Sequence, residues 1–130
     1  MNRPILIART TVLVAGVVQL VLGALFWSGV AENLIPVHAT IGTILVLALW
    51  TEAFFAARAG VPKGLVALAV VWGLIVPVFG IVQDGILPGS THWIIQVVHL
   101  LLGLTAMGLA DILYSTARRR HTVVAQTNPQ

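Results

Sequence analysis

Four apolar stretches, at residues 10–30, 36–57, 65–82 and 92–116, fill most of the chain. Two of them hold no charged side chain, and the other two hold one carboxylate each, Glu52 and Asp111. A bilayer core is crossed by about 20 apolar residues in a helix. In lipid every backbone N–H and C=O must be paired within the protein, so a spanning segment is a helix or part of a closed barrel. The expected fold is therefore all-α, an integral membrane four-helix bundle. Charged residues make up 8% of the 130 residues, against about 25% in soluble domains. So few charges cannot cover a water-facing surface. Residues 10–30 are long for the core of a signal peptide, and Ala31-Glu32-Asn33 offers no Ala-x-Ala cleavage site, so this run is read as a helix of the mature chain.

Residues 1–9 are expected to be a short N-terminal tail, residues 10–117 the transmembrane domain, and residues 118–130 a basic then polar tail without order. Gly16 and Gly23 share a face of the first helix and allow close packing. Pro36 suits the first turn of the second helix. Pro77 is expected to kink the third, and Ser90 or Thr91 to cap the fourth. Trp27, Trp50, Trp72 and Trp93 are read as an interfacial belt. Four spans bring both termini to one side. Arg3, Arg9, Arg58, Lys63 and Arg118 to Arg120 lie in the tails or the 2–3 connection, while the 1–2 and 3–4 connections hold no Lys or Arg. The positive-inside rule then places both termini in the cytoplasm of a multi-pass plasma (inner) membrane protein. The net charge of +3 comes from these clusters, so it reads as topology and not as a nucleic-acid surface. With no cysteine, disulfides, thiolate zinc, iron–sulfur ligation and covalent haem attachment are excluded.

Two of the apolar runs carry a histidine in the same setting. Val37-His38 and Val98-His99 are each followed, four residues after the histidine, by a glycine, Gly42 and Gly103. Residues four apart lie on one face of a helix, so each histidine is expected to stand beside a gap that admits a flat group. The repeat suggests that helices 1–2 and 3–4 are parallel copies related by an axis along the membrane normal. An ionisable side chain inside a membrane is a functional hypothesis by default. Neutral imidazole is a standard axial ligand of haem iron, and the pair is read as holding one haem b near the outer side. His38 lies about one turn into its helix and His99 about two, about 12 Å, which leaves a depth difference for tilt to remove. His92, seven residues before His99 and on the same face, is read as an interfacial histidine in water, with a bond to a haem propionate or replacement of His99 as ligand as the alternatives. Gln96 is placed beside the haem or quinone edge, or bonded across helices, like Gln19. Glu52 and Asp111 are read as interfacial charges close to Arg58 and Arg118.

The work expected of such a site is one-electron transfer with a quinol or a partner membrane subunit, which leaves oxidoreductase activity open. Lipid surrounds it, and the glycines permit a homodimer. Two alternatives stand beside it: a haem-free small subunit whose histidines are helix glue, and a small transporter or quinone-site oxidoreductase.

Four spans with one histidine in helix 2 and one in helix 4, and the Gln96-x-x-His99 opening of helix 4, resemble a half-module of haem A synthase. Four-helix cytochromes of the b561 class are a looser match. The resemblance covers about residues 10–116 and implies a membrane cytochrome b with one b-type haem ligated from opposite faces by His38 and His99. The chain has one module instead of two, and Glu32 stands six residues before His38. Ala39 and Leu100 replace the arginines that often follow the family's histidines. What the resemblance implies is thus haem binding, without the oxidation of haem.

Overall fold

A computed structural model of the chain describes residues 3–127 and is built from four long helices. They are α1 (Arg3–Trp27), α2 (Ile35–Arg58), α3 (Lys63–Val82) and α4 (His92–Thr127), and there is no strand among the described residues. All four are long and apolar enough to cross a membrane. Short 3₁₀ turns at Glu32–Leu34 and Gln83–Gly85 lie in the 1–2 and 3–4 connections. Each helix packs on its neighbours in chain order, and α1 closes the ring against α4. α2 and α4 also touch across the diagonal, whereas α1 and α3 do not.

The helix ends follow from backbone chemistry. At the end of α1, Gly29 turns left-handed at φ 70°, and the Val30 N–H reaches back to the Leu25 carbonyl at 2.9 Å. Gly60 does the same after α2 at φ 79°, with the Val61 N–H donating to the Ala56 carbonyl at 3.0 Å. Both are glycine stops that satisfy carbonyls the helix leaves open. Val61 is buried beneath the second one, and Pro62 then leads into α3. Before α4 the backbone closes the turn, His92 N–H to Gly89 carbonyl at 3.1 Å, and neither Ser90 nor Thr91 caps it through its side chain.

Two boundaries differ from the sequence expectation. α1 begins at Arg3, not near residue 10, and α4 runs to Thr127, through Arg118–Arg120 and the region expected to be a disordered tail. Hydropathy marks only the part of a helix that lipid can surround; backbone hydrogen bonding continues past it. At about 1.5 Å per residue α4 is about 54 Å long against a hydrocarbon core of about 30 Å. Residues 1–2 and 128–130 of the expected tails lie outside the described residues.

The bundle is small inside and large outside. Ala8, Ala15, Ala53, Ala56, Ala69, Ala106, Ala110 and Ala117 are buried, with Val12, Leu45, Leu49 and Leu113 between them. Ile7, Val14, Val17, Leu47, Phe54, Val71, Leu74, Ile81, Leu101 and Ile112 face outward. Small residues at helix contacts and large apolar ones outside are what packing in lipid favours. Outward hydroxyls are satisfied within their own helix: Thr43 donates to the Ala39 carbonyl at 3.0 Å, Thr51 to Leu47 at 2.8 Å and Thr105 to Leu101 at 2.8 Å.

Two of the four tryptophans correct the belt reading. Trp50 donates its indole N–H to the Val70 carbonyl of α3 at 3.0 Å, in the space left by Gly73. Trp72 donates to the Leu102 carbonyl of α4 at 2.9 Å. They tie helices together; Trp27 and Trp93 are the exposed ones at helix ends. Of the two α1 glycines, Gly16 lies under Met107 of α4, while nothing approaches Gly23.

Candidate functional site, a pair of facing histidines

His38 stands in the first turn of α2, just after Pro36. His99 lies seven residues into α4, about 10 Å from its first residue. Even so, the two rings face each other, with centres 6.2 Å apart and planes tilted by 45°. α4 starts farther out than α2, which absorbs the depth difference expected from the sequence.

All four helices build the surroundings. Phe26 from the end of α1 meets His38 edge-on, with centres 5.4 Å apart. Phe79 of α3 lies nearly parallel to His99 at 6.0 Å and 12°. Next to it, Gly80 brings the α3 backbone against the imidazole edge: a Cβ there would stand 3.2 Å from His99 Cε1. Neither histidine makes a hydrogen bond, and the Nδ1 atom of each is buried without a partner. A buried polar atom left unpaired costs about 1–3 kcal/mol. Two such atoms, on rings whose centres lie 6.2 Å apart, are therefore a feature that folding alone does not favour.

The glycines play different parts from those expected. The space beside Gly42 is filled: a Cβ there would lie 2.8 Å from Nε2 of Gln19, which reaches over from α1. Gln19 makes no hydrogen bond, and its Oε1 is a third buried atom without a partner. Nothing stands within 4 Å of the corresponding position at Gly103. The glycine that touches a histidine is Gly80, which spacing within α4 could not reveal because it belongs to α3.

His92, the first residue of α4, sits against the 3–4 connection, with Nδ1 3.3 Å from the Ile86 carbonyl and Nε2 3.9 Å from Asp84. Gln96 is half-buried, with no side-chain hydrogen bond. Neither makes a ring contact with the histidine pair. Among the described residues no three His, Asp or Glu side chains converge, so a zinc centre made of protein ligands alone has no basis here.

At the opposite end of the bundle, Asp111 is a paired charge with a partner other than the one expected, and Glu52 departs from the interfacial reading. Asp111 pairs with Arg9 of α1, Nε at 2.9 Å and Nη2 at 2.5 Å, and not with Arg118. Glu52 is fully buried, and neither of its oxygens has a partner. Arg58 lies over the Phe54 ring instead of reaching Glu52.

The fold and these groups define a class: an all-helical bundle of four potential membrane spans, with an imidazole pair near one end and a buried carboxylate near the other. No family model, curated protein or solved structure matches the chain.

Proposed function

We propose that the chain is a membrane b-type cytochrome in which His38 and His99 hold one haem b between α2 and α4, for one-electron transfer. The observation that carries this reading is the imidazole pair, 6.2 Å apart between ring centres and with both Nδ1 atoms buried and unpartnered. A metal–nitrogen bond of about 2 Å, plus about 1 Å from a ring nitrogen to the ring centre, puts two imidazoles on opposite sides of one ion about 6 Å apart. Neutral imidazole is the donor that haem iron takes. When bound, haem supplies a one-electron couple. The chain's residues do the rest: Phe26 and Phe79 exclude water, and Gly80 fixes the edge of His99. The alternative role as helix glue requires each imidazole to bond a neighbouring helix, and neither does so.

The diagonal contact of α2 with α4 fits a parallel repeat of two helices. The cationic tails and 2–3 connection support cytoplasmic termini in a plasma membrane, with the haem near the outer side. The electron partner is then a quinol or a membrane subunit on that side, where Gln96 lies one turn outward of His99. The test is the colour of the purified protein. A Soret band that shifts on dithionite is expected, lost or turned high-spin in His38→Ala and His99→Ala and kept low-spin in His92→Ala. A colourless protein, even from cells fed haem, overturns the reading.

A further inference from the structure

Glu52 lies outside the histidine site and has no part in haem ligation. It is on α2, fourteen residues after His38, and on nearly the same face. Between them on that face stand Leu45 and Leu49, both buried. Glu52 is 0% exposed, and Oε1 and Oε2 have no hydrogen-bond partner. Leu49, Ala53 and Ala56 pack around its stretch of helix at 0% exposure. An ionised carboxylate without a partner in such packing is very costly.

The charged groups that act on Glu52 come from two other helices, Arg9 of α1 and Asp111 of α4. They are paired with each other, and Tyr114 of α4 lies beneath the Arg9 guanidinium, 4.8 Å from its ring centre. α3 offers Glu52 no titratable group, since its one charged residue, Lys63, is exposed at its start. On α2 itself, Arg58 is exposed over Phe54. The Asp111 side chain is 58% exposed, and that of Arg9 28%. The ion pair thus stands between the buried acid and the surface at the termini end. A cavity of about 10 Å³, room for about one water, lies between α1, α2 and α4, lined by Ile5, Phe55, Tyr114 and His121 among others.

We propose that Glu52 is a proton-binding site that exchanges with the water at the termini end, with Arg9 as its alternate counter-ion. In one state Glu52, buried and unpartnered, carries its proton as a neutral carboxylic acid while Arg9 is paired with Asp111, as the side chains stand here. When the acid releases its proton to that water, the carboxylate left behind takes the Arg9 guanidinium. Asp111, already largely exposed, passes to solvent as an anion. One proton leaves, one negative charge remains, and no buried charge is left unpaired at either stage. The inference goes beyond the haem proposal and does not depend on it.

Infrared spectroscopy of the full-length protein in lipid nanodiscs tests it. At neutral pH the wild type should show a carboxylic-acid C=O band that Glu52→Gln lacks and Asp111→Asn retains. The band should shift within minutes of transfer to D2O and disappear as pH rises. Arg9→Gln should move that disappearance upward by about one pH unit or more, because removal of a nearby cation disfavours the anion. No acid band in the wild type at neutral pH, a band that does not respond to D2O, or a midpoint unmoved in Arg9→Gln would each overturn the proposal. The last two need only the wild type and Arg9→Gln, so they decide the matter even if Glu52→Gln does not fold.

Discussion

The missing side chain at Gly80 fixes where His99 can stand. A Cβ at this position meets the imidazole at 3.2 Å, whereas one at Gly103 meets nothing within 4 Å. Overpacking an ordered interior costs about 1–3 kcal/mol. Gly80→Leu should therefore destabilise the bundle by about that much in a detergent-unfolding titration and lower the haem-to-protein ratio in membranes. Gly103→Leu should change both little. Gly42→Leu should fall between them, because its obstacle is the far end of the flexible Gln19 side chain. Equal effects at all three positions would mean that the contact between α3 and His99 is unimportant. The two histidines were legible in the sequence because a polar residue in an apolar run stands out without any partner in view. Gly80 and Phe79 were not, nor was the place of Gln19 over Gly42 without the cross-helix bond expected of it, because periodicity reports the face of a single helix and these residues meet the histidines or Gly42 from other helices. Glu52 was misread for the same reason. Its sequence position lies near an end of α2, but its burial is decided by how α1, α3 and α4 surround it.

Among the helices, three contacts with direction stand out against general small-residue packing: Trp50 joins α2 to α3 by its indole N–H to the Val70 carbonyl at 3.0 Å, and two others reach α4. Arg9 with Asp111 joins α1 to α4 at the termini end. Trp72 joins α3 to α4 near mid-span by its indole N–H to the Leu102 carbonyl at 2.9 Å. Interhelical hydrogen bonds in membranes average about 0.6 kcal/mol and reach about 1.7 kcal/mol. Trp72→Phe should lower stability within that range in the same detergent titration, while Trp93→Phe, at an exposed position, should leave it unchanged. A Trp72→Phe protein as stable as the wild type would return Trp72 to the interfacial role read from composition. The existence of the four helices was legible because lipid leaves a long apolar segment few other choices. Their ends were less so. Arg3 and Arg9 look like a tail in a hydropathy reading, yet α1 includes both, and the charge of Arg9 is met by Asp111, 102 residues away.

For the molecule as a whole, packing and charge give separate signals. Alanines face inward and large apolar side chains outward, which suits a bundle in lipid, but this pattern is the same whichever end points into the cell. Charge breaks that symmetry. The Arg9–Asp111 pair and the approach of Arg120 to Gly60 put both the tails and the 2–3 connection at one end. All seven Lys and Arg residues belong to those segments. The other end has no Lys or Arg and carries Glu32 and Asp84. Positive charge near span ends is retained in the cytoplasm when the connections are short, as they are here. A cytoplasm-active reporter fused after Gln130 should therefore be active, and one inserted at residues 84–90 should be inactive. A reporter that works only after export should give the opposite pattern. If the loop insertion proved cytoplasmic, the histidine pair would lie at the inner face, the electron partner proposed for it would have to be sought there, and the proton exchange proposed for Glu52 would be with the outside.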